Sequence, residues 1–153
     1  MESEIKVTTT PPDLLQRMAK YPQQLDDVMM KAGKASLLVI QENVPPYPPQ
    51  PPNSHYRRTG TLGRSLGVGQ TGGAVGMPDI FTVKKVGSHA YEGEFGSRLS
   101  YAPDVVGEGS QKPIFKAIGW FTTKTIAQRA AGKVVEVYEI AARKMAEFLE
   151  GRA

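Results

Sequence analysis

Cysteine is absent from these 153 residues. That removes disulfide staples, thiol nucleophiles and cysteine metal sites together, and fits an intracellular or structural setting. Long apolar runs are missing too. The longest, SLLVI at Ser36 to Ile40, falls far short of the ~18 residues that cross a bilayer. The opening MESEIKVTTTPP lacks the basic start and apolar stretch of a secretion signal, so the expectation is a soluble, non-membrane chain. Dense charge of one sign is also lacking. Nineteen Lys and Arg against fifteen Asp and Glu leave a net charge of +4, which favours acidic partners weakly and falls short of a dedicated nucleic-acid binder.

What the chain has in abundance is conformational punctuation: 16 glycines and 12 prolines. The length fits one domain, 1–153. Within it, apolar residues Leu14, Leu15, Met18, Leu25, Val28, Met29, Ala32, Ala35, Val39 and Ile40 recur at three- and four-residue steps and predict helix over 12–43. Thr10 or Asp13 is the expected cap. Pro22 divides the segment into a short helix to Lys20 and a longer one from about Pro22 to Glu42, because proline clashes in a helix interior. Six prolines between Val44 and Pro52 then exclude helix. Polyproline II at ~3.1 Å per residue makes the segment from Val44 to Ser54 a semi-rigid arm of roughly 30 Å; with its flank the arm spans 44–59.

Gly60 to Gly76 holds seven glycines and little to bury, so 60–78 reads as a mobile loop. Three runs, DIFTVKKVGS, AYEGEFGS and YAPDVVGEG, carry β-branched and aromatic residues closed by glycine and predict two or three antiparallel strands within 79–118. A second apolar stripe, from Ile126 through Val134 and Ala141 to Leu149, predicts a C-terminal helix over 123–150. The expected class is α+β: a small antiparallel sheet packed against a long N-terminal helix and a C-terminal helix, with an extended Pro-rich arm and a Gly-rich loop.

Several motifs invite chemistry. Gly63-Arg64-Ser65-Leu66-Gly67 matches G-x-S-x-G, but glycine-rich flanks replace the strand and helix that such an elbow requires, so it reads as a turn. Gly67 to Gly72 matches G-x-G-x-x-G, yet Gly73, Gly76 and Pro78 oppose the helix that should follow. His89, Glu92 and Glu94 form no convergent ligand set and read as a polar strand edge rather than a metal site. Glu92, Glu94, Asp104 and Glu108 show no sign of a catalytic carboxylate pair. Trp120, with Phe115 and Phe121, reads as core. Neither an enzyme nor a cofactor or metal is expected. Arg57, Arg58 and Arg64 beside Tyr47 and Tyr56 carry more weight, because guanidinium and phenol groups suit interfaces.

YRRTGTLGRSL (Tyr56 to Leu66) and YAPDVVGEGSQKPIFKAI (Tyr101 to Ile118), framed by the two helices, resemble the neck or tail-completion family of long-tailed bacteriophages. Thr59-Gly60-Thr61-Leu62-Gly63-Arg64-Ser65 fits its TG-x-L-x-x-S segment, Tyr101-Ala102 with Gly109 its YA element, and Pro113-Ile114-Phe115 its proline-aromatic element. The proline segment is longer than the family's, and Glu108-Gly109-Ser110 stands where the family has acid-glycine-threonine. The resemblance implies a non-enzymatic virion protein that forms a homo-oligomeric ring at the head-tail junction or tail end. It also implies contacts to itself, to neighbouring neck or tail proteins and, in passing, to DNA. The expected contact residues are Tyr47, Tyr56, Arg57, Arg58, Arg64, Tyr101 and Glu108, with the arm extending reach and the basic loop ordering only in the assembly. The alternative from composition is a nucleic-acid-binding module using Arg57, Arg58, Arg64, Lys84 and Lys85.

Overall fold

The computed structural model describes residues 4–8, 13–53 and 58–151. In chain order these form β1 (Glu4–Thr8), α1 (Asp13–Met18), α2 (Pro22–Glu42), α3 (Thr61–Ser65), β2 (Ile80–Gly87), β3 (Ala90–Gly96), α4 (Ala102–Val106), α5 (Pro113–Ile118) and α6 (Thr123–Glu150). The three strands make one antiparallel sheet in the order β1-β3-β2. With the helices packed on it, the fold is α+β.

Strand alternation sends one set of side chains to each face. Phe95 of β3 lies opposite Ile5 of β1 and Phe81 of β2, while Gly93 lies opposite Val7 and Val83. These apolar residues join the core with Leu37 and Ile40 of α2 and Ile126 and Ala130 of α6. On the other face Lys84 reaches Glu94 at 3.4 Å and Glu92 at 3.9 Å.

The stripes of α2 and α6 meet antiparallel. Leu37 and Ile40 near the end of α2 share a cluster with Ile126 near the start of α6, whereas Leu25 and Met29 share one with Met145 near its end. Each such side chain, when fully buried, contributes about 1.5–3 kcal/mol. Pro22 occupies the first turn of α2, where its missing N–H has no helical partner to lose. Thr122 caps α6, its hydroxyl accepting from Thr125 N at 3.4 Å. Thr10, the alternative cap for the first helix, lies outside the described residues, and Asp13 is the first residue of α1.

Four sequence expectations require correction. Glu4–Thr8 is a strand that pattern reading left unassigned. Residues 79–118 are sheet only through Gly96, because Ala102–Val106 and Pro113–Ile118 are helices. Pro103 and Asp104 in the first turn of α4, and Pro113 in that of α5, favour helix starts over the β preference of Val105 and Val106. Glu92 and Glu94 lie on the central strand rather than on an edge. The glycine-rich segment 60–78 is also largely packed: Leu62, Ser65, Leu66 and Val68 are buried, and Thr61–Ser65 is helical.

Candidate functional site

The glycine-rich segment is ordered by a residue far away in the chain. Gln41, in the last turn of α2, directs its side-chain amide at the carbonyl oxygens of Gly76 (2.7 Å), Gly67 (3.0 Å) and Leu66 (3.4 Å). Two N–H groups are shared among three acceptors; Gln41, Leu66 and Gly67 are buried, while Gly76 lies at the surface. Gly67 is required twice over. Its φ of 68° is left-handed, and a Cβ there would stand 2.4 Å from Gln41 Nε2 and 2.5 Å from Gly76 O. The Gly67 oxygen also accepts from Val75 N (2.8 Å) and Gly76 N (3.1 Å), while Asp79 N donates to Ser65 O at 2.7 Å. Between these ties Val75 and Met77 stand out, 72% and 75% exposed.

A second cluster holds the proline segment. Val44 enters the core and Pro48 is buried. Tyr47 donates its N–H to Gln70 O at 2.7 Å, and its phenol oxygen accepts from Gly63 N at 2.7 Å. The Tyr47 and Trp120 rings lie 4.7 Å apart. Arg58 stacks on both, its Cζ 5.3 Å from the Trp120 centroid and 5.8 Å from that of Tyr47, and it donates through Nη1 to Pro48 O. Arg58 Nε and Trp120 Nε1 are buried with no hydrogen-bond partner among the described residues. The guanidinium is therefore held by stacking and by the Pro48 carbonyl.

The described part of the arm is thus tied to the body rather than reaching out along the segment's length: Pro48 is buried and its carbonyl accepts from Arg58. The contacts that fold it back are long-range and leave no trace in local composition.

Of the expected contact residues, Tyr47, Arg58 and Tyr101 come together with Thr61, Leu62 and Trp120 around a cleft of about 20 Å³. Tyr101 is 41% exposed at its rim. Arg64 lies nearby but bends onto its own loop, donating to Thr59 O and Thr61 Oγ1 at 3.2 Å each. Glu108 is exposed in the turn after α4 and does not line the cleft. Tyr56 and Arg57 lie outside the described residues. Gln41, Val75 and Met77 were not singled out by sequence reasoning. A buried glutamine on an apolar helix stripe and two large apolar residues flanking a glycine were the available signals.

The tempting catalytic motif is dismantled by geometry. Ser65 Oγ is buried, donating to Leu62 O at 2.6 Å and sharing a hydrogen bond with Ser97 Oγ at 2.7 Å. Ser97 follows one end of β3, whereas His89 precedes the other end and pairs with Ser88 Oγ at 2.9 Å. The strand between them spans roughly 20 Å. Basic residues are similarly engaged. Besides Arg58, Arg64 and Lys84, Lys85 pairs with Asp26 at 3.1 Å, and Asp26 also accepts from Tyr91 Oη. These two bonds hold the Asp26 carboxyl below its ordinary value, and burial together with Asp26 pushes the Tyr91 phenol well above its own. No group of three or more His, Asp or Glu side chains suited to a metal ion occurs among the described residues. No helix among them is long and apolar enough to cross a membrane.

Comparison with protein-family models, with curated protein sequences and with solved structures gives no match to this chain.

Proposed function

We propose that this chain is a structural subunit of a tailed-bacteriophage virion, assembled as a ring at the neck or tail end. The supporting observation is the convergence of the segments that carry the resemblance. Thr61 and Leu62 of the TG-x-L-x-x-S element, Tyr101 and Val105 of the YA element, and Trp120 beyond the proline-aromatic element line one cleft with Tyr47 and Arg58. Segments distant in the chain share one structural centre, as expected if they are kept for one architecture. Contacts to neighbours then run through preformed surfaces of the body. The nucleic-acid alternative is disfavoured by the internal engagement of Arg58, Arg64, Lys84 and Lys85.

The test is genetic and microscopic. Particles produced without the chain are expected to appear as heads and tails that fail to join, or as unfinished tails. Added purified protein is expected to restore joining. Normal infectious particles in its absence would overturn the proposal.

A further inference from the structure

Two exposed apolar features lie on different parts of the molecule. The first is the tip formed by Val75 and Met77, presented on a backbone tied by Gln41 and Gly67. The second is a groove of about 280 Å³ between α2 and α6, built from Val28, Ala32 and Ala35 on one side and Val137, Ile140 and Ala141 on the other. At 100° per residue Ala35 points away from Gly33, which faces Val83 of the sheet, so the groove opens on the outer side of α2. Its size corresponds to about nine water-sized volumes, room for a valine and a methionine side chain together.

The tip cannot fill this groove in its own chain. Gly76 is tied to Gln41, and the groove's α2 residues Ala35, Ala32 and Val28 lie ~9–20 Å back along α2 at 1.5 Å per residue, the nearest of them, Ala35, turned about 120° from Gln41 around the helix. Charge complements shape. Asp79, two residues beyond Met77, accepts from Arg98 N at 2.9 Å and has no cationic partner among the described residues. On the groove rim Lys31 is paired with Asp27 at 3.2 Å, while Lys144 has no ion-pair partner among the described residues.

We propose that the Val75–Met77 tip of one copy seats in the α2–α6 groove of the next, with Asp79 beside Lys144. A contact between two different patches is head-to-tail and repeats from copy to copy, closing into a ring when the rotation allows. The tied backbone loses little freedom on docking. This deepens the ring-subunit reading and rests on it for its setting, but the association is measured without any particle.

Sedimentation velocity over a concentration series tests it. The wild-type chain should gain mass with concentration, while Met77→Asp and Ile140→Asp should each stay monomeric with unchanged circular dichroism. An equimolar mixture of these two variants should form dimers and stop there, since a dimer has spent its one intact tip and its one intact groove. Lys144→Glu should weaken wild-type association by about 2–5-fold, as expected for an exposed ion pair, and adding Asp79→Lys should restore it. These milder variants decide the matter if either aspartate variant misfolds. A wild-type chain monomeric to millimolar concentration, a mixture that stays monomeric, or no charge-swap recovery would overturn the contact. Particles that still need the chain after such a result would leave the virion reading standing; the opposite pattern would remove that reading and keep the contact.

Discussion

Gln41 Nε2 lies 2.7 Å from the carbonyl oxygen of Gly76, bridging 35 residues of chain. This bond and its companion to Gly67 turn a segment rich in glycine into a fixed surface. Replacing Gln41 with Leu removes this donor from the Gly76 oxygen, while the Gly67 oxygen keeps Val75 N and Gly76 N, at a cost of about 1–2 kcal/mol. Chemical denaturation measures the loss. Gln41→Glu should be worse at neutral pH, because a carboxylate would face three carbonyl oxygens, and should recover in part in acid when the carboxyl can donate. Equal stability of both variants and the wild type would contradict the clamp.

Gly63 is fixed by what surrounds it. A Cβ at this position would stand 2.7 Å from Tyr47 Oη and 2.9 Å from Val68 O. Gly63→Ala should therefore cost about 1–3 kcal/mol, as overpacking does, and Tyr47→Phe about 1 kcal/mol for the lost acceptor. The double variant should not recover, since the Val68 carbonyl belongs to the backbone. Thermal melts of the three proteins check this, and full rescue in the double variant would contradict it.

The start of the proline segment belongs to the folded body, since Val44 and Pro48 are buried. Deleting Pro45 to Pro52 removes Tyr47 and buried Pro48, and should lower the melting temperature substantially. Deleting only Pro51 and Pro52, which are exposed, should lower it far less. Trp120 is the sole tryptophan, so its emission reports the cluster directly. Arg58→Ala should shift it to the red and cost about 1–2 kcal/mol of stacking. Arg58→Lys should fall between, lacking the planar fork.

Stability should fall at both ends of the pH scale through Asp26 and Tyr91. The Asp26 carboxyl is held below its ordinary 3.8 by hydrogen bonds from Tyr91 and Lys85. Its contribution is present above that value and lost as pH falls through the lower, folded one. The Tyr91 phenol is raised above 10.0 by burial and by Asp26, so its contribution is present below about pH 10 and lost as pH rises through the folded value. Melting temperature against pH should show both limbs. Tyr91→Phe should remove the alkaline limb and shrink the acid one; an unchanged profile would contradict the assignment.

Helices α2 and α6 were legible because their apolar stripes are long and Pro22 marks a start, so local sequence and tertiary packing agree. The α4 segment was misread where Val105 and Val106 outweighed Pro103, a competition that short windows decide poorly. The glycine-rich segment was misread for a different reason. Its order comes from Gln41 on another element, and composition counts only what a segment can bury by itself. The proline segment failed likewise: Pro48 and Arg58 meet across a loop, and the stack on Trp120 joins residues 62 positions apart. Tyr47 and Arg58, expected as contacts to other subunits, stack within the chain instead, because residue types carry contact chemistry but not whether the contact is made inside one chain or between two.

Amide hydrogen exchange on the dilute monomer separates the two accounts of residues 67–76 most directly. A preformed surface predicts strong protection at Val68, Val75 and Gly76, whose N–H groups donate to Gly63 and Gly67 carbonyls, with Gln41→Leu lowering it at Val75 and Gly76. Exchange at the rate of an unstructured peptide in the wild-type monomer would mean that the segment orders only after assembly, and the fixed tip would be gone.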